Sequence, residues 1–199
     1  MALANYNDLQ STIADYALGI TSADPISTFI ALGEGDVFTR VKHYLAETTI
    51  TTSSTANAIT LPADFSEARS ITVDGIKAKP VSIYGAKLYA GEIGYLQSGN
   101  TYVFVPTQET PRVVELTYYA KPLALSESNP SNWLLTTFPA VYLHASLVRA
   151  YRWRRDADSE AAEKASLEEA LALLDADHRK AVHSGNPIIM NDGGLFYAN

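Results

Sequence analysis

Apolar residues in this chain recur at helical spacing at both ends and lose that spacing between about residues 48 and 130. Whatever it folds into must therefore join a helical part to a strand-rich part inserted within it. Tyr6, Leu9, Ile13, Tyr16 and Ala17 stand three and four apart, which predicts a short amphipathic helix with Asn5 as its cap. Asp24-Pro25 then offers an N-cap followed by proline at the first helical position, where the missing N–H is harmless. The second helix that starts there carries Ile26, Phe29, Ile30, Val37, Val41, Tyr44 and Leu45 on one stripe. Gly33 and Gly35 interrupt it, each at a cost of roughly 1 kcal/mol relative to alanine, and mark a kink or a close helix contact. A Gly-x-Gly phosphate loop would need a preceding strand and a third glycine, and neither is present.

In the middle of the chain Thr, Ser and Val runs replace the helical period. The clearest element is Arg69–Val73, Asp74-Gly75 and Ile76–Lys79, because Asp-Gly between two short runs signals a type I′ hairpin. Thr48–Thr52 and Ala58–Leu61 are expected to form an earlier hairpin. Gly94–Leu96, Thr101–Val105 after Gly99-Asn100, and the alternating Val113–Tyr119 predict further strands of a small antiparallel sheet. Ser82–Ala90 reads as one or two helical turns, weakened by Gly85 and Gly91.

After the polar cluster Ser126–Asn132, a third helix is predicted from about 139 to 155. Val141, Tyr142, Leu143, Ala145, Leu147, Val148, Ala150, Tyr151 and Trp153 leave it few wet positions, which places it at the centre of a helical core. Asp158-Ser159 is expected to cap a fourth helix, ending near Val182, with Ala162, Ala165, Leu167, Ala170, Leu171, Leu173 and Leu174 buried and Glu160, Glu163, Lys164, Glu168 and Glu169 wet. Beyond it, Asn186–Asn199 holds Ile188, Ile189, Met190, Leu195, Phe196 and Tyr197 around Asn191–Gly194. This segment is too short and glycine-rich to bury those groups by itself, so it reads as an arm that docks on a partner.

Composition narrows the function. With 47% hydrophobic and 19% charged residues the chain is expected to fold, and without cysteine it has neither disulfides nor thiolate metal sites. Its start lacks a secretory pattern, and no stretch reaches the ~18 apolar residues of a membrane span. The formal charge of -7, from 15 Lys and Arg against 22 Asp and Glu, has the wrong sign for binding DNA through its phosphates. Arg149, Arg152, Arg154 and Arg155 form the one basic cluster, and the acidic run Asp156–Glu169 follows it.

Candidate chemistry is sparse. His43, His144, His178 and His183 lack metal-ligand spacing; His144 reads as a core or interface histidine, and His178 and His183 suit a helix C-terminus. There is no G-x-S-x-G and no Walker loop. Glu34, Asp36, Asp64, Glu67 and Glu92 are the carboxylates that a general acid and base pair would draw on, but a structural role for each is the better reading.

Several phrases carry a resemblance: Ala4-Asn-Tyr-Asn-Asp-Leu9, Phe29-Ile-Ala-Leu-Gly-Glu34, Leu61-Pro-Ala-Asp-Phe-Ser-Glu-Ala-Arg69, Glu115-Leu-Thr-Tyr-Tyr-Ala-Lys-Pro122, and Asn129-Pro-Ser-Asn-Trp-Leu-Leu135 leading into Pro139 and Tyr142-Leu143. Over residues 2 to about 182 the chain resembles tailed-bacteriophage head-to-tail adaptor proteins; Gly33, Gly35 and the dense arginines of 149–155 depart from them. The resemblance implies a helical bundle interrupted by a β-rich insertion, and a dodecameric ring that sits beneath the portal protein and contacts tail or nozzle proteins. It also implies a C-terminal arm that docks on the portal. Asn186–Asn199 matches that arm in position and amphipathic character, through Ile188, Ile189, Met190, Leu195, Phe196 and Tyr197.

The resulting expectation is an α+β protein, mainly a bundle of about four helices with an inserted small antiparallel β-rich region and an extended C-terminal arm. Its parts are N-terminal helices (1–46), the β-rich insertion (47–125), C-terminal helices (126–184) and the arm (185–199). The expected role is a virion adaptor at the head-tail junction, present in the host cytoplasm during assembly, that continues the DNA channel without sequence-specific binding. No catalytic residue, cofactor, metal or membrane contact is expected. A cell-wall polysaccharide hydrolase using the insertion carboxylates, or a carbohydrate-binding module using the Tyr-rich strands, is the competing reading.

Overall fold

The computed structural model describes residues 3–82 and 87–183. Helix α1 (Tyr6–Tyr16) starts where expected, the Asn5 side chain accepting the Asp8 N–H at 3.0 Å. Helix α2 (Ile26–Phe38) has Pro25, not Asp24, at its cap position, because the Asp24 carboxylate is engaged by the N–H and hydroxyl of Thr21. It also ends earlier than its apolar stripe: Tyr44–Ala46 is a separate 3₁₀ turn. Gly33 makes the close contact anticipated for this helix. A Cβ there would lie 3.1 Å from the backbone of Ala145, whereas one at Gly35 would meet nothing within 4 Å.

Seven strands follow: β1 (Glu47–Ser53), β2 (Ala58–Thr60), β3 (Phe65–Val73), β4 (Ile76–Pro80), β5 (Ile93–Ser98), β6 (Thr101–Val105) and β7 (Val113–Ala120). They form one sheet in the order β1-β7-β3-β4-β5-β6-β2. All pairings are antiparallel except that of β4 with β5. Asp74 and Gly75 both take positive φ, 50° and 79°, as the type I′ turn between β3 and β4 requires. The hairpin expected between Thr48–Thr52 and Ala58–Leu61 does not form. β1 pairs with β7 and β2 with β6, and a single bridge from Thr55 to Ala58 links the two ends of the strand order. The sheet is thereby a nearly closed, barrel-like one. Lys87–Tyr89 is irregular, not helical, and the rest of that weak helical expectation falls partly on residues outside those described.

Helix α3 (Trp133–Thr137) is a short element capped by Asn132, whose Oδ1 accepts the Leu135 N–H at 2.9 Å. Helix α4 (Pro139–Arg154) has proline in its first turn, and Arg155 in the left-handed region ends it. Helix α5 (Ala157–His183) follows at once. Its cap is Asp156 and not Asp158: the Asp156 carboxylate accepts both the N–H and the hydroxyl of Ser159. α4 packs between α2 and α5, at the centre of the helical core as its all-round apolarity demands.

Two hydrophobic cores result. One gathers Leu9, Ile13, Phe29, Ile30, Leu134, Leu135, Leu147 and Leu174 from the helices, the other Ile71, Val73, Phe104, Val114, Leu116 and Tyr118 from the sheet. The protein is therefore a mixed α/β fold with five α-helices among the described residues and substantial β content. It is not the mainly helical bundle with a small insertion expected from the sequence. The physical reason is strand alternation. β6 and β7 bury every second residue over most of their length, and each large side chain so buried contributes about 1.5–3 kcal/mol. A sheet wrapped on itself with strands of this kind owns a core instead of borrowing one from the helices.

Candidate functional site

Glu34 is buried between α2 and α4. Its Oε1 accepts the Leu125 N–H at 2.7 Å and the Tyr142 hydroxyl at 3.1 Å. Asn132 Nδ2 donates to the Tyr142 hydroxyl at 2.6 Å, so the α3 cap is tied into the same network. Burial pushes the Glu34 carboxyl above its ordinary pKa, and the two hydrogen bonds it accepts pull back.

A second network joins helices to sheet. His43, fully buried before the 3₁₀ turn, accepts the Leu45 N–H on Nδ1 at 3.3 Å, which leaves the proton on Nε2 to be donated to Asp177 at 3.2 Å. Its ring stacks on Trp133, with centroids 5.4 Å apart and planes 14° apart, and meets Phe138 edge-on. His178 Nδ1 accepts the Tyr44 N–H at 3.1 Å, and its ring lies against Tyr119 of β7. Desolvation holds His43 below its usual pKa, with Asp177 opposing. The last turns of α5, from which the chain runs on toward residue 184, are thus fastened to the start of the sheet.

Ion pairs stitch the helical surface, Arg40 with Glu168, Arg149 with Asp36, and Glu160 with both Arg152 and Lys164, and the His144 ring hydrogen-bonds Glu163 at 2.7 Å. The two cations beside Glu160 hold its carboxyl down at about 2.

Each carboxylate considered for chemistry has a structural partner. Asp64 accepts the Tyr118 hydroxyl, Glu67 pairs with Lys42, Glu92 with Lys79, and Glu34 and Asp36 are bound as described. Among the described residues no hydrogen bond joins one of these carboxylates to another. Among the described residues no group of three or more His, Asp or Glu is placed to hold a metal, and no helix is long and apolar enough to cross a membrane. The four arginines do not act as one patch either. Arg149 and Arg152 are neutralised by acids, while Arg154 and Arg155 are exposed and without an ion pair among the described residues. The docking-arm residues Ile188, Ile189, Met190, Leu195, Phe196 and Tyr197 lie outside the described residues, and of His183 only its place at the end of α5 is described.

The exposed apolar groups are where sequence reasoning fell short. Ala162, Ala165 and Leu173, expected in the core, are exposed, with Leu173 at 69%. At 100° per residue they point away from the buried Leu167, Ala170, Leu171 and Leu174. α5 therefore has two apolar sides, which a count of its apolar residues does not separate. Trp153 and Leu18 are also open, at 54% and 85%.

A comparison with curated proteins returned no match. The family model for the SU10 adaptor protein matches residues 4–189, a span that takes in the helices, the sheet and the networks joining them. The chain belongs to the SU10 adaptor protein family, a family of phage head-to-tail adaptors, and is a structural component of the virion.

Proposed function

We propose that this chain forms a ring that joins the portal vertex of the capsid to the tail and carries the DNA channel onward, held to the portal protein by residues 186–199. The observation that carries the reading is the family match over residues 4–189. The fastening of α5 to the sheet by His43 and His178 is consistent with it, since it gives a segment leaving that helix a rigid origin. Tail or nozzle proteins are the partners on the far side. The ring is dodecameric, and its acidic subunits, each of formal charge -7, present a lining that repels DNA and lets it slide.

Native mass spectrometry and electron microscopy of the chain mixed with its portal protein test this. Rings seated on the portal support the reading, and a chain that stays monomeric beside assembled portal overturns it. Deletion of 186–199 is expected to leave a folded subunit that no longer joins the portal; normal joining by the truncated chain removes the arm from the proposal.

A further inference from the structure

Two exposed surfaces of this chain lie on opposite flanks of α4. One is the outward side of α5, where Ala162, Ala165, Ala172, Leu173 and Ala176 are all exposed. At 100° per residue their mean direction is opposite that of the side that packs on α4, with Ala162 and Leu173 toward the edge of the outward face. A solvated helix normally shows charge there, and a helix apolar on both sides is one that is covered on both sides. The N-terminal half of this face also carries Asp158 and Glu169, and its C-terminal end Lys180, all exposed and without an ion pair among the described residues.

The other surface is the corner where α1 ends against the end of α4. Trp153 lies over Phe29, with centroids 5.7 Å apart, yet keeps 54% of its surface open. The Arg154 guanidinium crosses Gly19, beside Leu18, which is 85% exposed. Arg154 and Arg155 have no ion pair among the described residues, Asp156 acting on Arg154 only at longer range, and they give this corner positive charge in a chain whose net charge is -7.

We propose that the α5 face of one copy receives the Leu18, Trp153 and Arg154 corner of the next copy. The proposal rests on the ring reading above and names its contact. Charge complementarity selects a second copy as the occupant. The cations of the corner match Asp158 and Glu169 in the N-terminal half of the face, away from Lys180, and the alanines there let a flat indole approach the helix closely. Because the two surfaces differ and both belong to every copy, the contact is head-to-tail. Such a contact propagates from copy to copy and closes only as a ring.

The test uses the full chain, which has no cysteine of its own. Leu18→Cys and Ala165→Cys proteins are mixed at concentrations up to about millimolar, far above typical self-association thresholds, and joined with a short bismaleimide. Circular dichroism confirms that each variant is folded. Covalent dimers containing one of each are expected in excess over dimers of either alone. Arg154→Glu or Glu169→Arg in the same proteins is expected to lower that yield about tenfold, and the two reversals together to restore it. No mixed dimers, equal yields of like and unlike dimers, or indifference to both reversals would overturn the proposal. If rings nevertheless form on the portal in any of these cases, the ring reading stands and only this contact falls.

Discussion

Gly33 of α2 lies so close to α4 that a methyl group in place of its hydrogen would stand 3.1 Å from the backbone of Ala145 and 3.2 Å from its side chain. Both neighbours belong to a packed helix that cannot yield locally. Gly33→Ala is expected to destabilise by about 1 kcal/mol, the helix-propensity gain being outweighed by overpacking. Gly35→Ala, which meets nothing within 4 Å, is expected to stabilise by roughly 0.5–1 kcal/mol. Urea unfolding of the two variants beside the parent measures both; equal shifts of the same sign would refute the close-contact assignment.

Glu34 titrates higher in the folded chain than in the unfolded one. The folded state therefore binds more protons once the pH passes the ordinary value of 4.5, and this group's contribution to stability falls as pH rises from there through its folded pKa. Glu34→Gln retains an oxygen for the Leu125 N–H and the Tyr142 hydroxyl and removes the charge. Its unfolding midpoint relative to the parent should improve steadily from pH 4.5 upward. A difference independent of pH would contradict a raised Glu34.

His43 behaves in the opposite sense. It is buried neutral with its pKa lowered from 6.5, so the unfolded chain binds more protons in the window below 6.5. Its contribution is full above that pH and is lost as pH falls toward the folded value. The groups facing it are Asp177 and His178 of α5 and the Tyr44 ring. In His43→Gln the loss of stability below pH 6.5 should be smaller than in the parent, as read from thermal melts; an identical slope would place the titration elsewhere.

Arg112 is 2% exposed in the sheet. Its Nη2 donates to Asn57 Oδ1 at 3.1 Å and to the Pro106 carbonyl at 3.0 Å and the guanidinium lies over the Phe104 ring, while Nε and Nη1 have no hydrogen-bond partner among the described residues. A buried cation so weakly compensated costs several kcal/mol. Arg112→Met keeps most of the volume and removes the charge, and is expected to be within about 1 kcal/mol of the parent or more stable. Arg112→Ala should lose about 2–4 kcal/mol through the cavity. Denaturant midpoints separate the two, and equal large losses would mean that the guanidinium bonds matter more than its burial.

The local elements were largely legible in the sequence: the Asn5 cap, the Asp74-Gly75 turn, the start of α4 at Pro139 and the close approach at Gly33 each follow from a residue whose chemistry allows little else. The global organisation was less so. Thr48–Thr52 and Ala58–Leu61 are neighbours in sequence and look like a hairpin, yet β1 finds β7 some sixty residues on, a pairing register that no local signal encodes. The same blindness made the sheet look small and the helices dominant. On α5, alanine counts equally toward a core and toward a close contact with another molecule, so composition alone could not divide Ala170 from Ala165. A wheel drawn through Leu167, Leu171 and Leu174 would have done so.

The bridge between Thr55 and Ala58 has a consequence for the proposed ring, in which copies would stand side by side. An open sheet offers unpaired N–H and C=O groups to any strand that drifts past, and many copies at one vertex would raise that hazard. Here the two outermost strands are drawn toward each other by a four-residue connection, so at that end of the sheet the backbone of Thr55 and Ala58 is already taken and offers a stray strand nothing to template on. Recognition then falls to side chains, which unlike a backbone ladder distinguish the right neighbour from the wrong one.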